Sequence, residues 1–377
     1  MNHNPLQSLG ALGQSIWLDY IRRDLITSGE LRRLIEDDGL RGITSNPTIF
    51  EKAIIDSQDY DEDIRSMTIE GKNTQSIFEA LTQRDVQMAA DEFRQVYDRM
   101  DGSDGYVSLE VNPHLAHDTN GTIEEARRLW NALNRPNVFI KVPGTSEGLP
   151  AIKQLTSEGI NVNVTLLFGL PRYRQVAEAY IAGIEARLSQ GNAVKRVASV
   201  ASFFLSRIDT LVDPLLEKEI ANGGKNVARA RQSLGQVAVA SARMAYQIYK
   251  EIFNSERFKK LIEKGASVQR VLWASTGAKN PDFSDVKYIE ALIGEDTINT
   301  IPVETLNAFR DHGVAEARLE QDVEKAAGIL KQLSELGINI NSITQQLEDE
   351  GVEKFNKPFD KLMEALEKSK KTYDPAI

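Results

Sequence analysis

The chain has 377 residues, 41% of them hydrophobic and 27% charged, a composition typical of a folded globular protein. Its 55 acidic and 45 basic side chains give a formal net charge of -10, which opposes a broad contact with a phosphate backbone, so we expect no nucleic-acid partner. There is no cysteine, which excludes disulfides, thiolate metal ligands and thiol nucleophiles.

The amino-terminal segment MNHNPLQSLG lacks the basic start and the apolar stretch of a signal peptide. No later segment approaches the length of an apolar run that spans a membrane. We therefore expect a cytoplasmic protein with no membrane partner. The oligomeric state stays open between a monomer and a homodimer.

Short apolar runs alternate with helical patterns along most of the chain, which predicts βα units and a parallel sheet. Eight runs are predicted strands: 15–19, 42–46, 106–111, 138–143, 161–167, 196–202, 270–275 and 297–302. Because about eight strands close around an interior filled by side chains, the pattern predicts a (β/α)8 TIM barrel rather than an open sheet. Thr122 and Glu125 predict a capping box before a helix at 126–133.

Two stretches are longer than a βα unit requires. Residues 47–104 and 207–265 have helical patterns, and we predict helical insertions there. The tail from about 314 to 377 is also helical and charged, and we expect it to pack on the outside of the barrel. No Pro/Gly/Ser-rich linker marks a boundary, so residues 1–377 are predicted to form a single domain.

Polar side chains stand at the carboxyl ends of nearly all the predicted strands, where barrel enzymes place their active sites. In chain order they are Asp19, Asn46, Glu110, Lys141, Thr165, Ser202 and Ser275. On the fifth strand Asn161, Asn163 and Thr165 alternate with apolar residues and therefore share one face. A face packed under helices would not accommodate them, so we expect that face inside the barrel.

Lys141 is flanked by apolar residues in the strand VFIKVP, residues 138–143. A lysine there is costly unless it is paired or neutralised, and burial lowers the pKa of an ammonium group. The neutral amine is the nucleophile that forms an imine with a carbonyl substrate. The alternatives are a lysine that reaches solvent, or one that pairs with Asp19 or Glu110 without reacting. The residues alone leave these interpretations open.

Asp19 and Glu110 can supply the proton transfers that a Schiff base requires. The carbinolamine must lose water, and a neighbouring carbon–carbon bond must break to an enamine. For a single acid, a helix cap or a surface charge is the more common role. Two acids at strand ends, in a chain with a lysine on a strand, favour a chemical role.

Four segments resemble those of transaldolases, relatives of the class I aldolases built on a (β/α)8 barrel. They are GITSNPTIF (42–50), VSLEVNPHLAHDT (107–119), NVFIKVPGTSEGLPAI (137–152) and GINVNVTLLFG (159–169). The resemblance spans most of the barrel but not the insertions or the tail. It implies transfer of a dihydroxyacetone unit from sedoheptulose 7-phosphate or fructose 6-phosphate to glyceraldehyde 3-phosphate or erythrose 4-phosphate, in the non-oxidative pentose phosphate pathway.

The resemblance also implies the roles of single residues. Lys141 would form the imine, and Glu110 would transfer protons during its formation through a water held with Thr165. Asp19 would be the acid/base at the bond that is cleaved. The hydroxyls of the bound dihydroxyacetone unit would be held by Asn46, Asn163 and Ser202.

Substrate phosphate would be bound by Arg207. Where the family has an arginine after the serine of strand seven, this chain reads ASTGAKNPDF, and the nearest cation is Lys279. We expect Ser275 and Lys279 to lie beside Arg207. The alternative is that Arg207 pairs with Asp209 or Asp213 on its own helix.

Two other functions fit the same barrel. One is that of the related fructose-6-phosphate aldolases, which release free dihydroxyacetone. The resemblance implies that these aldolases lack a glutamate at the position of Glu110, so its presence here favours transfer. A catalytically silent barrel used for binding is the remaining alternative. His114 and His117 with Asp118 have the residue types of a metal site, but no third histidine is near, and a solvated loop is the better interpretation. We expect no metal and no other cofactor.

Overall fold

Eight parallel strands form a closed barrel in the computed structural model, which describes residues 4–373. Each strand pairs with the next along the chain, and the last pairs with the first. The strands are β1 (Gln14–Asp19), β2 (Gly42–Thr44), β3 (Tyr106–Glu110), β4 (Val138–Pro143), β5 (Val162–Leu167), β6 (Ser199–Phe204), β7 (Arg270–Ala274) and β8 (Thr297–Ile301). The predicted (β/α)8 fold is confirmed.

The largest difference from the predicted strands is at β6, which was placed at 196–202. Arg196 has a φ of +69°, in the left-handed region, so the chain turns there instead of extending. The strand continues past Ser202 through Phe203 and Phe204. At β2 and β7 the strands end earlier than predicted, so that Asn46 and Ser275 lie just beyond them.

Helices surround the barrel. Within residues 4–373 they are α1 (Pro5–Ala11), α2 (Arg23–Thr27), α3 (Glu30–Asp37), α4 (Pro47–Ile55), α5 (Asp61–Ile69), α6 (Thr74–Glu92), α7 (Arg94–Arg99), α8 (Thr119–Leu133), α9 (Gly148–Glu158), α10 (Leu170–Ser189), α11 (Ser206–Asn222), α12 (Val227–Ser233), α13 (Val237–Phe253), α14 (Glu256–Ile262), α15 (Lys287–Glu290), α16 (Val303–His312), α17 (Val323–Glu335) and α18 (Ile340–Tyr373), with a 3-10 turn at Pro113–Leu115. In this part of the chain no helix is both long and apolar enough to cross a membrane. The two long connections consist of α4 to α7 and α11 to α14.

The predicted capping box of α8 is wrong. The helix begins at Thr119, and the Asp118 side chain accepts the Gly121 N–H at 3.0 Å. Thr122 lies inside the first turns, and its hydroxyl donates to the Leu115 carbonyl instead. An aspartate further upstream already caps the helix, so the Thr122–Glu125 pattern has no free helix end to cap.

The tail packs against the outer helices, with α17 on α13 and α18 on α4, α5 and α6, but α18 also lies across one end of the barrel, which the sequence did not predict. Buried positions of α18 recur every three to four residues and form one stripe: Ile343, Leu347, Gly351, Phe355, Phe359, Leu362 and Leu366. With this stripe the helix contacts α4, α11, the 3-10 turn and β5. Because α4, the 3-10 turn and α11 follow the carboxyl ends of their strands, α18 lies across that end of the barrel.

The amino-terminal end of the barrel is filled by a polar cluster around Asp104. This carboxylate accepts hydrogen bonds from Ser15 and, at 2.8 Å, from the Trp17 indole N–H. Arg270 donates to it at 3.4 Å. Trp17 lies directly over Gly42, where a Cβ would be only 2.5 Å from the ring, so this position on β2 requires glycine.

Candidate active site

A cavity of about 720 Å³ lies at the carboxyl end of the barrel. It is lined by eight residues that the sequence singles out, which come from six of the strands or the segments after them: Asp19, Asn46, Lys141, Thr165, Ser202, Arg207, Ser275 and Lys279. Glu110 and Asn163 do not line it but contact residues that do. All ten are brought together because the carboxyl ends of parallel strands meet at one end of a barrel.

Lys141 is a buried amine in the cavity wall. Its side chain is 5% exposed, and Nζ donates to the Ser45 carbonyl at 2.9 Å. Nζ also lies 3.2 Å from Glu110 Oε2, since Glu110 and Lys141 are register partners on β3 and β4. Lys141 therefore neither reaches solvent nor pairs with Asp19. It contacts Glu110, and its side chain also lines the cavity.

The buried carboxyl group of Glu110 makes few polar contacts. Neither oxygen has a hydrogen-bond partner among residues 4–373, so its contact with Lys141 is an ion pair without hydrogen-bond alignment. Burial raises the pKa of Glu110, and the charge of Lys141 opposes that rise. A carboxyl group with a raised pKa beside an amine is suited to exchange protons with it.

Asp19 ends β1 and is a second acid in the cavity wall. Thr44 Oγ1 donates to its Oδ1 at 2.7 Å, and the same hydroxyl lies 2.7 Å from Thr300 Oγ1. Burial raises the pKa of Asp19, while the charge of Lys141 and the hydrogen bond from Thr44 lower it. The site therefore holds two acids with raised pKa values near one amine.

Strand β5 supplies polar groups to the barrel interior, as its alternation predicts. The Ser202 hydroxyl donates to Asn163 Oδ1 at 2.7 Å, and the Asn163 amide donates to Ser108 Oγ at 3.1 Å. Thr165 Oγ1 is buried and has no hydrogen-bond partner in the described part of the chain. The third polar residue, Asn161, precedes the strand and donates to backbone carbonyls at the amino-terminal end, away from the cavity.

Asn46 is held at the cavity by its role as a helix cap. It is the N-cap of α4, and Oδ1 accepts the Ile49 N–H at 3.1 Å. Pro47 follows at the first helical position, where a missing N–H costs nothing. The cap occupies the amide oxygen, so the amide nitrogen is the group that Asn46 can offer to a ligand.

Arg207 does not pair with the acids on its own helix. Asp209 accepts from the Ala238 N–H and from Lys287, and Asp213 accepts from the Gly235 N–H. The guanidinium instead lies over two phenyl rings, with Cζ 5.4 Å from the Phe204 centroid and 5.9 Å from that of Phe355.

The Arg207 guanidinium has unused binding capacity. Nη1 is buried without a hydrogen-bond partner among residues 4–373, and burial lowers the pKa of the group. Ser275 and Lys279 line the same cavity. The Lys279 ammonium group lies close to Gly277: a Cβ added there would be 3.7 Å from Nζ.

Two contributors to the site were not anticipated. The Ser45 carbonyl that holds Lys141 is a backbone group, for which sequence has no signal. Phe355 comes from α18, and its signal was the apolar stripe of the tail.

His114 and His117, the two histidines of the loop after β3, are exposed and contact acids, with His114 Nε2 2.7 Å from Asp360 and His117 Nδ1 3.3 Å from Glu147. Among the described residues, no group of three or more His, Asp or Glu side chains is arranged to hold a metal ion.

Residues 16–366 match the family described as Transaldolase/Fructose-6-phosphate aldolase. A protein of Nostoc punctiforme named Transaldolase 2 is 46% identical over 380 residues, which cover 100% of both chains. A protein of Saccharopolyspora erythraea named Transaldolase is 46% identical over 97% of both chains. A Transaldolase of Mycobacterium bovis is 42% identical over 96% of both chains.

Proposed function

The chain belongs to the transaldolase/fructose-6-phosphate aldolase family, and from that premise we propose that it acts as a transaldolase whose Schiff base forms on Lys141. Its substrates are sugar phosphates. The donor is sedoheptulose 7-phosphate or fructose 6-phosphate, and the acceptor is glyceraldehyde 3-phosphate or erythrose 4-phosphate, as in the non-oxidative pentose phosphate pathway. The observation that carries the residue assignment is a buried lysine 3.2 Å from one acid, in a cavity that a second acid also lines.

Imine formation is assigned to Lys141 and Glu110. The Glu110 carboxylate takes a proton from the Lys141 ammonium, and the neutral amine attacks the ketone carbon of the donor. The carbinolamine then loses water with a proton returned by Glu110, which a water held by Thr165 can relay. The partner-free oxygens of Glu110 and Thr165 support this role, since each is buried and has hydrogen-bonding capacity to spare.

Cleavage and transfer are assigned to Asp19. The carboxylate takes the proton of the C4 hydroxyl, the C3–C4 bond breaks, and its electron pair moves into the iminium to give an enamine. The aldehyde product leaves and the acceptor aldehyde enters. The enamine carbon then attacks the acceptor carbonyl, and Asp19 returns the proton to the new hydroxyl. Hydrolysis of the imine frees the ketose product.

Recognition divides between hydroxyl and phosphate groups. The Asn46 amide nitrogen and the Ser202–Asn163 pair hold the hydroxyls of the three-carbon unit. The phosphate is bound by Arg207, whose Nη1 is partner-free within the described residues, and Ser275 and Lys279 line the same cavity. An arginine can bind phosphate through two N–H groups, whereas a lysine offers a point charge.

A coupled assay with fructose 6-phosphate, run with and without erythrose 4-phosphate, tests the activity. Transfer predicts turnover that depends on the acceptor. Turnover without the acceptor would instead indicate an aldolase that releases dihydroxyacetone, and none at all would indicate a silent barrel. The presence of Glu110 beside the reactive amine supports transfer.

Borohydride reduction during turnover, followed by peptide mass mapping, tests the residue. We expect a dihydroxyacetone-derived adduct on the peptide that contains Lys141. An adduct on any other lysine, or none, would overturn the assignment even if the coupled assay succeeded.

We also propose the setting of the enzyme: a single domain of residues 1–377, acting in the cytoplasm as a monomer or a homodimer. The absence of cysteine fits a reducing compartment. Light scattering on the purified chain would distinguish the two oligomeric states, and one cooperative unfolding transition in calorimetry would support the single domain.

A further inference from the structure

Helix α18 brings an aromatic ring to the reactive amine. Phe355 is 4% exposed and lines the cavity. Its ring centroid lies 5.8 Å from Lys141 Nζ and 5.9 Å from Arg207 Cζ. One side chain of the tail thus lies over both the amine that forms the imine and the cation assigned to phosphate.

One turn earlier, the same helix approaches the strand that carries Thr165. A Cβ at Gly351 would lie 3.0 Å from Leu166 Cδ2 and 3.7 Å from Arg207 Nη1, so the absence of a side chain allows this close approach. Leu166 has a φ of +61°, beside a register shift between Val164 and Leu167 of β5. A leucine in the left-handed region is uncommon and persists only where its surroundings hold it. The contact at Gly351 therefore sets how closely α18 approaches β5 beside the cavity.

We propose that Phe355 is a specificity-determining residue that favours transfer over release, by covering the Schiff base on the side of α18 and keeping water away from the enamine carbon. This inference rests on the proposed function, because it concerns the fate of the enamine on Lys141. The partner of the enamine should be the acceptor aldehyde, and water is its competitor.

Release of dihydroxyacetone consumes one water molecule. Transfer also ends in hydrolysis of an iminium, so the step that separates the two outcomes is protonation of the enamine carbon. In release, a water molecule gives the enamine carbon a proton and the iminium forms again. The remaining hydroxide adds to the iminium carbon, and the carbinolamine collapses to dihydroxyacetone and the free amine of Lys141. A phenyl ring offers no strong donor or acceptor, so it leaves a water on that side without the two to four polar partners that ordered water requires.

The ring has a second effect through Arg207. A guanidinium over an aromatic face is attracted by the ring, and here it lies over the rings of Phe204 and Phe355. These contacts restrain the position of the group, while its Nη1 has no hydrogen-bond partner in the described part of the chain and can bind an anion. An acceptor phosphate held in this way stays close to the enamine, which again favours transfer.

The same helix provides a matched control in Phe359. It is 6% exposed and lies four residues from Phe355, but its ring meets Phe78 edge-on at 5.3 Å and His114 at 5.9 Å. Phe359 lines a small cavity of about 30 Å³ on the other side of Glu110, and not the cavity that Lys141 lines. Replacing either phenylalanine by alanine removes the same buried group from α18. Only the change at 355 opens the cavity that Lys141 lines.

The experiment compares Phe355→Ala, Phe355→Leu and Phe359→Ala in the full chain. The measured quantity is dihydroxyacetone released, divided by product of transfer, with fructose 6-phosphate and a limiting concentration of erythrose 4-phosphate. We expect Phe355→Ala to raise this ratio about tenfold or more, the scale of one well-packed apolar contact in a site. Phe355→Leu, which keeps an apolar cover, should raise it less, and Phe359→Ala should leave it within about twofold, the scatter of a structural change.

An unchanged ratio in Phe355→Ala would overturn the inference, and so would equal increases in Phe355→Ala and Phe359→Ala. If Phe355→Ala does not fold, the comparison of Phe355→Leu with Phe359→Leu decides in the same way. Borohydride trapping on each variant separates this inference from the proposed function. An adduct on Lys141 with an unchanged ratio overturns only the role of Phe355, whereas no adduct on Lys141 in the unaltered chain overturns the proposed function itself.

Discussion

Asp104 and Glu110 are buried carboxylates near opposite ends of β3, with side chains 1% and 6% exposed. Asp104 accepts hydrogen bonds from Ser15, Trp17 and Arg270. Glu110 has one ion contact and no hydrogen-bond partner in the described part of the chain. Burial of a charge is costly unless it is paired and hydrogen-bonded, so the first arrangement favours stability and the second leaves capacity for a substrate.

The two arginines at these ends differ in the same way. Arg270 donates at 2.7 Å to Ser15 Oγ and to the Thr297 carbonyl, which ties three strands together. Each arginine has one buried nitrogen without a hydrogen-bond partner among the described residues, Nε of Arg270 and Nη1 of Arg207, but Arg207 lies over the Phe204 ring instead of being tied to strands by hydrogen bonds.

Within residues 4–373, buried polar atoms without a partner also occur at the amino-terminal end, among them Gln14 Oε1 and Arg270 Nε. At the carboxyl end such groups, on Glu110, Thr165 and Arg207, lie in the wall of one cavity or directly behind it, where a substrate can use them.

The largest expected effect is loss of the amine. Lys141→Arg keeps a positive charge beside Glu110, but a guanidinium stays protonated and cannot form an imine. Turnover of fructose 6-phosphate should fall to background, and borohydride should trap no adduct. Circular dichroism and the unfolding midpoint check that the fold survives. Substantial residual turnover would show that the chemistry of this end does not depend on Lys141.

The next effect is on cleavage. Asp19→Asn leaves imine formation intact but removes the base for the C4 hydroxyl, so turnover should fall by about 10²–10⁴-fold while the trapped adduct accumulates. In the unaltered enzyme, burial raises the pKa of Asp19 above its ordinary value of 3.8. Because the carboxylate is the active form, turnover should decline as pH falls through that raised pKa. A loss under tenfold, or an unchanged acid limb in the variant, would move the role to Glu110.

At the amino-terminal end the expected effect is on stability. Asp104→Ala leaves Arg270 without its carboxylate, together with the donors of Ser15 and Trp17. Removal of one partner from a buried ion pair typically costs about 3–5 kcal/mol. Urea unfolding should show this loss, whereas kcat per folded molecule should stay unchanged. A fall in kcat comparable to that of Asp19→Asn would break the distinction between the two ends.

The composition of the site could be predicted because barrel topology brings all the strand ends to one place, whatever their exact lengths. That Lys141 meets Glu110 rather than Asp19 could not be predicted, since it depends on the register between β3 and β4. The predicted bounds of β6 were shifted along the chain, but the predicted position of Ser202 was unaffected, because its side chain faces the barrel interior with either set of bounds.

The position of the tail could not be predicted for a different reason. The apolar stripe of α18 was visible in the sequence, but any apolar surface of the barrel would have covered it equally well. The choice of the carboxyl end rests on contacts far apart in the chain, such as Gly351 with Leu166 and Phe355 with Lys141. Those contacts are tertiary, and no local pattern encodes them.

A smaller effect sharpens the comparison of the two arginines. Arg207→Ala should raise the KM for fructose 6-phosphate by about 10–100-fold, since hydrogen bonds to charged groups contribute about 1.5–3 kcal/mol. Lys279→Ala should raise it less, because it removes a point charge. Rates with unphosphorylated fructose should barely change in either variant. Equal losses on both donors would indicate that Arg207 is structural, like Arg270.

The smallest expected effect is a change in stability when a buried aspartate is replaced by asparagine, and its sign should differ between Asp19 and Asp104. Because burial raises the folded-state pKa of Asp19 above its unfolded value, the folded protein binds this proton more tightly than the unfolded chain does. Ionised Asp19 therefore costs stability at pH values above its folded pKa, and this cost disappears as pH falls toward the unfolded pKa. An asparagine can still accept the hydrogen bond from Thr44 and does not carry the cost. At neutral pH, Asp19→Asn should unfold at a slightly higher urea concentration than the unaltered protein, although it loses turnover, and the difference should shrink on acidification. Asp104→Asn is the matched control and should be destabilised over the same range, since it weakens the pair with Arg270. A loss of stability in Asp19→Asn at neutral pH would mean that the carboxyl end is held together by its charges, as the amino-terminal end is.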